Sequence, residues 1–183
     1  MDFQIRSAAE SDWPGISRVV LAAFGEEEGK EIRDLIADLL VDPSAQPSLS
    51  LVATVEDDVV GHVLFTRAAI RGAEPPVSVA ILAPLAVHPD EQGRGIGGRL
   101  IQEGIQRLEA SEVALVFVLG DPGYYKRHGF APAGVRGLDA PYPVPAEHAD
   151  AWMVQALQPG ILGHVRGQLL CADALDDPRY WLE

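Results

Sequence analysis

Val87-His88-Pro89-Asp90-Glu91-Gln92-Gly93-Arg94-Gly95-Ile96-Gly97-Gly98 joins an apolar run to a helical pattern, and its reading decides the fold. Four of the six residues from 93 to 98 are glycine, a poor helix start on propensity alone. Their use is steric. Without Cβ atoms, backbone N–H groups can turn inward and approach a ligand closely. The helix N-terminus behind them adds unpaired donors and partial positive charge. Together these make an anion site, for which pyrophosphate is the natural guest. Arg94 and Arg99 add local positive charge. A plain turn needs one glycine, not four.

Upstream, residues 77–88 form a long apolar run whose two alternating faces both read as buried. Pro84 has no N–H for a ladder, so the strand must bulge, splay or lie at an edge there. Downstream, residues 95–109 read as a helix with Leu100, Ile101, Ile105 and Leu108 inward, and 112–119 as a central strand. Gly120-Asp121-Pro122-Gly123 ends that strand; a short helix over 124–128 and a strand over 130–135 follow.

At the other end, residues 2–6 alternate as a short strand. Ser11 or Asp12 caps a helix with Pro14 in its first turn, and Trp13, Ile16, Val19, Val20, Ala23 and Phe24 recur along it. A second helix carries Ile32, Leu35, Ile36, Leu39 and Leu40. Residues 49–56 and 59–71 form a hairpin turning at Asp57-Asp58. After a proline-rich loop over 137–150, the runs 152–157 and 165–172 pair as strands. The order contains one strand–helix–strand crossover, over 77–119, inside an antiparallel pattern. That is an α/β chain of the mixed-sheet, α+β kind, with helices on the faces of a mostly antiparallel sheet.

Composition bounds the function. The 183 residues, 48% hydrophobic and 22% charged, suit one domain with a full core. The net charge of −13 disfavours nucleic acid and anionic lipid as partners. No apolar stretch is long enough to span a membrane and no leader pattern opens the chain, so a cytoplasmic protein is expected. The lone Cys171, in an apolar run, reads as an inert thiol, and no metal-ligand spacing occurs.

Gly93-Arg94-Gly95-Ile96-Gly97-Gly98 also satisfies G-x-G-x-x-G, with Asp121 ending the next strand, so a dinucleotide-dependent oxidoreductase is a rival. Against it, His88 to Gln92 separate the strand from the first glycine, Asp90 and Glu91 flank the phosphate position, and the earlier strands do not alternate with helices.

Two stretches resemble a known family. Gln92, Gly95 and Gly97 match motif A of the GNAT superfamily of N-acetyltransferases. Within the run 120–130, Tyr125, Gly129 and Phe130 match its motif B, a Tyr separated by three residues from a Gly-Phe pair. The run is especially similar to the bacterial YhbS-like branch. The element order follows the family over residues 1–136, as the core of a single domain spanning 1–183, with 137–183 a loop and strands that complete the sheet.

The resemblance implies an acyl-CoA N-acyltransferase fold whose fourth and fifth strands splay apart to admit pantetheine. It implies acetyl-CoA, or coenzyme A, as co-substrate. Backbone groups of Leu85, Ala86 and Val87 would bond pantetheine and polarise the thioester carbonyl. Amides of Gly93, Arg94, Gly95, Gly97 and Gly98 would hold the pyrophosphate, and Gln92 would shape the loop. The expected reaction is direct attack by an amine, small-molecule or peptide, with both substrates bound together. Tyr125 is the expected acid for the leaving thiolate, with Tyr124 its neighbouring alternative. The base stays open: Glu26, Glu27 and Glu28 lie where the family shapes the acceptor site but also read as a solvated face, His62 and His88 read as structural, and water through an ordered chain can suffice. A coenzyme A-binding module without turnover is a further alternative. The tail can line the acceptor pocket, form a homodimer interface or finish the sheet.

Overall fold

The computed structural model describes residues 2–181. Strand β1 (Gln4–Ser7) leads into α1 (Trp13–Phe24) and α2 (Glu26–Val41). Then come β2 (Leu49–Val55), β3 (Asp58–Ile70), β4 (Val79–Val87), α3 (Ile96–Ala110) and β5 (Leu115–Leu119). A one-turn α4 (Pro122–Tyr125) precedes β6 (Ala131–Pro132), β7 (Leu138–Asp139), β8 (Trp152–Ala156) and β9 (Gly167–Leu170). The sheet runs β1-β2-β3-β4-β5-β8-β6, with β9 joining β3 to β7 off that path. Only β4–β5 and β7–β9 are parallel among the named pairs.

The two apolar stripes of the early helices cover one face. Ile16, Val19 and Val20 of α1 and Leu35, Ile36 and Leu39 of α2 pack over Val52, Leu64, Ile81 and Phe117. On the other face, Ile96, Leu100, Ile101 and Leu108 of α3 meet Val63, Phe65, Leu82 and Val118. Leu40, read as inward, is 37% exposed at the edge of the α2 stripe.

Several expectations need correction. The β2–β3 turn is centred on Glu56 and Asp57, both at positive φ (50° and 70°), and Asp58 already pairs with Val55. Two consecutive left-handed residues match the strand twist, which an Asp57-Asp58 turn would not do in this register. Asp12 does not cap α1. Its carboxylate reaches back to the Ala9 amide (2.7 Å) and forms a two-pronged pair with Arg6 (2.7 and 2.9 Å). The strand expected over 130–135 shrinks to two residues, because the chain coils into a 3-10 turn at Gly134–Arg136. The two tail strands do not pair with each other. β8 lies antiparallel to β5, with Leu119 opposite Trp152, while β9 pairs with the overhanging end of β3, Ala69 and Ile70.

The tail is tied down by aromatic packing. Trp152 stacks on Phe117 (centroids 5.1 Å apart), and Trp181 meets Trp152 edge-on at 5.6 Å. The two indole N–H groups donate to the carbonyls of Leu138 and Leu175, each at 3.0 Å. Buried indoles with satisfied N–H groups are strong anchors.

Gly104 lets α3 lie close on the sheet: a Cβ there would run into the Phe65 ring. Alanine gains roughly 1 kcal/mol in helix propensity, whereas overpacking a fitted core costs about 1–3 kcal/mol. Gly104→Ala is therefore expected to destabilise the fold in urea denaturation. A more stable variant contradicts this packing.

Candidate functional site

β4 stays beside β5 for only three register pairs, Val79–Leu115, Ala80–Val116 and Ile81–Phe117. Beyond them the strands part. On the other side β4 keeps its ladder with β3, but the register shifts between the Phe65–Leu82 and Val63–Leu85 pairs. Ala83 and Pro84 together stand opposite Leu64, one residue more than β3 supplies, and the missing proline N–H falls within this bulge. The bulge also switches the side-chain phase. Val79 and Ile81 point to the α1/α2 face, yet after Pro84 it is Ala86 that does so, while Leu85 and Val87 face α3.

This phase sets which backbone groups look into the gap. The His88 amide donates to the Val60 carbonyl at 2.8 Å, and Ala86 pairs with His62 two residues earlier. Ladder bonds alternate, so Ala86 turns its amide and carbonyl toward β3. Those of Leu85 and Val87 turn toward the gap. The Gln92 side chain donates to the Val87 carbonyl at 3.0 Å, bracing the loop against the strand end.

The loop descends through a 3-10 turn, Pro89–Glu91, capped by the His88 ring, which accepts from the Asp90 amide at 3.2 Å. Gly93 and Gly95 take φ of 80° and 81°, and a Cβ at either would meet nothing within 4 Å. The first helical amide bond is Arg99 to the Gly95 carbonyl at 3.1 Å. Among the described residues no hydrogen bond uses the amides of Gly93, Gly95, Gly97 or Gly98. A row of free donors at a helix N-terminus fits a diphosphate. Arg94 is ion-paired with Glu91, which holds the loop's own charge in place.

Gly97 and Gly98 have a second use. The Tyr124 hydroxyl lies over Gly97, and the His128 ring over Gly98, where a Cβ would come within 2.7 Å of it. His128, Arg127, Arg99 and Arg94 line a cavity of about 740 Å³ along α3. Burial and the neighbouring Arg127 push the His128 pKa down. Arg127 also sits over the Tyr124 ring at 5.3 Å. The motif reading passed over Arg127 and His128. Their signal was the basic triplet Lys126-Arg127-His128 in an acidic chain.

On the opposite side of the gap lies a cavity of about 390 Å³. Its inner end is formed by Leu82 to Leu85, Val118 to Asp121 and the ring of Tyr125. Tyr125 packs against Gly120 and edge-on to Tyr124 (5.1 Å) and Phe130 (5.8 Å). Burial, and then Tyr124 and Asp121, raise its pKa well above the usual tyrosine value. Tyr124 points instead at the start of α3, so the two tyrosines serve different walls. Glu28 reaches this cavity from the first turn of α2, and Glu31 joins it. Leu175, Arg179 and Tyr180 complete it from the C-terminal segment, a contribution no motif marked.

The remaining candidates fall outside the gap. His62 is fully buried, with Nε2 3.0 Å from the Ser50 hydroxyl and Nδ1 without a partner. Cys171 is half-buried, and burial raises its thiol to about 12, far from a thiolate at neutral pH. Among the described residues no three His, Cys, Asp or Glu side chains cluster to hold a metal, and no helix is long and apolar enough to cross a membrane.

Comparison with known proteins adds to this geometry. The family described as acetyltransferase (GNAT) domain matches residues 4–133. The chain is 50% identical to the uncharacterized N-acetyltransferase YjhQ of Escherichia coli (strain K12), over 93% of each chain. It is 33% identical to the uncharacterized N-acetyltransferase YhbS of the same strain, over 76% of this chain and 80% of the relative. The crystal structure of YhbS from Escherichia coli in complex with CoA superposes with a TM-score of 0.85 at 29% identity, covering 96% and 92% of the two chains. A GNAT family acetyltransferase from Brucella melitensis in complex with acetyl-CoA superposes at 0.73 and 30% identity, covering 96% and 99%.

Burial lowers the His62 pKa from 6.5 to about 4. The unfolded chain therefore takes up this proton first. Stability from the neutral ring is present above about pH 6.5, is lost as pH falls, and stops changing below about pH 4. Between pH 7 and 5 the loss is about 2 kcal/mol, at 1.36 kcal/mol per pH unit of unequal binding. In urea unfolding at the two pH values, His62→Gln is expected to lose that much less than the parent. Equal losses contradict the assignment.

Proposed function

The chain belongs to the GNAT acetyltransferase family, and on that premise we propose that its N-acetyltransferase chemistry takes place in the gap between β4 and β5. Acetyl-CoA supplies an acetyl thioester there. The observation that carries the reading is a continuous path: free amides at Gly93, Gly95, Gly97 and Gly98, then the open edge of Leu85 and Val87, then the Tyr125 ring at the cavity. Phosphate, pantetheine and acetyl group need those three environments in that order. Arg94 and Gln92 hold the loop in shape, and Ala86 keeps the strand on its ladder with β3. The G-x-G-x-x-G pattern is thereby a coenzyme A loop, not a dinucleotide fingerprint.

In this proposal the acceptor amine enters from the α2 side and attacks the carbonyl carbon directly. A C–N bond forms and the C–S bond breaks. Strand-edge amides facing the gap donate to the carbonyl oxygen, an effect often worth about 3 kcal/mol. The ammonium gives one proton to solvent before attack, and the nitrogen gives up a second once the C–N bond has formed. Tyr125 donates the proton that the departing thiolate takes, and water restores it. Raised above its reference value of ~10, the phenol stays protonated at neutral pH; giving its proton to a thiolate, whose thiol has a pKa of ~8.5, is uphill, and re-protonation of the phenolate by water draws the step forward. The presence of this tyrosine favours an enzyme over a coenzyme A-binding module. Residues 137–183 act with the 1–136 core as one domain in this reading, because β8 pairs with β5 along its whole length on the edge opposite β4.

Tyr125→Phe is expected to lower kcat at least tenfold with acetyl-CoA affinity nearly unchanged; an unaltered kcat at neutral pH rejects the role. Gly95→Asp places a carboxylate where phosphate must sit; the space is open, and the left-handed φ of 81° costs an aspartate about 1–2 kcal/mol, so an unchanged circular dichroism spectrum is checked alongside. Isothermal titration with coenzyme A should then detect no binding, and normal affinity counts against the loop.

A further inference from the structure

The cavity beside Tyr125 has a floor and a rim of different character. Phe24, Ile32, Leu35, Leu175 and Tyr180 make the floor apolar and partly aromatic. Glu28, Glu31 and Asp121 stand around it, with Arg179 the one cation among the lining residues. Arg179 is already engaged. Its guanidinium lies 3.6 Å from Glu31 and 3.3 Å from Asp177, and 4.8 Å over the Tyr180 ring. One guanidinium against three carboxylates leaves the lining net negative, and Glu28 has no ion pair among the described residues.

The wall that carries Tyr180 and Arg179 is held in place from both ends. The Asp173 and Ala174 amides donate to Ser44 Oγ (2.8 Å) and Asp42 Oδ2 (2.9 Å) at the foot of α2. Trp181 is buried against Trp152. The volume, about 390 Å³, is small for a ligand site, where ~300–1,000 Å³ is usual. It suits a compact group beside the reacting carbonyl.

Resting on the acetyl-transfer reading above, we propose that the acceptor is a small amine with an apolar body and no carboxylate, selected by Tyr180, Glu28 and the Arg179–Glu31 pair. The carboxylate rim attracts the ammonium form of the amine. The same rim repels an acceptor that carries its own carboxylate, since no cation is left to receive it; discrimination of this kind uses repulsion as much as attraction. The Tyr180 ring and the floor take the apolar body. Arg179 braces Tyr180 and holds Glu31 across the mouth, so it acts as a positioning residue.

The test compares phenethylamine and tyramine with phenylalanine, tyrosine, spermidine and a lysine-containing peptide, by thiol release from acetyl-CoA. Both aromatic amines are expected to exceed every other acceptor at least tenfold in kcat/KM. Tyr180→Ala should raise KM for them at least tenfold with kcat little changed. Glu28→Gln, at an exposed helix position, should narrow the tyramine-to-tyrosine ratio at least threefold, a change that a merely structural role does not produce. Normal coenzyme A binding by titration, with preference for an amino acid, spermidine or the peptide, or with no turnover of either aromatic amine, overturns this inference alone. Loss of coenzyme A binding in the parent protein overturns the acetyl-transfer reading with it.

Discussion

The structure depends on two parallel strands that are held together for three residue pairs and then released. A parallel pair buried between helices ordinarily continues until one strand ends, because each unpaired amide in the interior is costly. Here the release is built from both sides. Pro84 and the bulge around it turn β4 away while keeping its ladder to β3. β5 continues past Phe117 because β8 pairs with it along its whole length on the opposite edge. Neither strand is frayed. Apart from the Val87 carbonyl, which Gln92 holds, the backbone edge of β4 after Pro84 that faces the gap is left for a ligand to take over.

The glycine loop applies the same principle at the next step. Free amides at the exposed Gly93 and Gly95 are tolerable at little cost, those at the buried Gly97 and half-buried Gly98 call for a ligand, and all are useful because they converge. Gly93 and Gly95 provide the left-handed turns that aim them. Gly97 and Gly98 do something else: they make room for Tyr124 and His128, which draw α4 against the start of α3. The four glycines therefore combine ligand approach with close packing of two elements. That explains why a turn of this length carries so many.

The C-terminal segment is structural at one end and part of the cavity at the other. Through Trp152 and Trp181 it supports the far edge of the sheet. Through Leu175, Arg179 and Tyr180 it faces α2 across the cavity. It lies beyond residues 4–133, where the family match ends. The residues matched by the family model thus carry the loop and the gap, and the segment after them, which the match to YjhQ and the superposition on YhbS largely include, lines the cavity beside them.

What was legible in the sequence was local. The loop 92–98, the misplaced Pro84, the tyrosine pair before Gly129-Phe130 and the two amphipathic helices can each be read within a dozen residues, because glycine conformation, proline's missing donor and side-chain periodicity act at that range. The β2–β3 turn was misplaced by one residue for the opposite reason: its centre follows from the Val55–Asp58 pairing, not from the acidic residues themselves. Tertiary structure alone decided that Leu85 and Val87, rather than Ala86, present backbone to the gap, since a bulge resets a phase that composition cannot show. It alone placed β8 beside β5 and brought Arg179 to Glu31. Contacts such as Asp173 to Ser44 join positions 129 residues apart, and no local pattern constrains a pairing that only the closed sheet and its packed helices bring within reach.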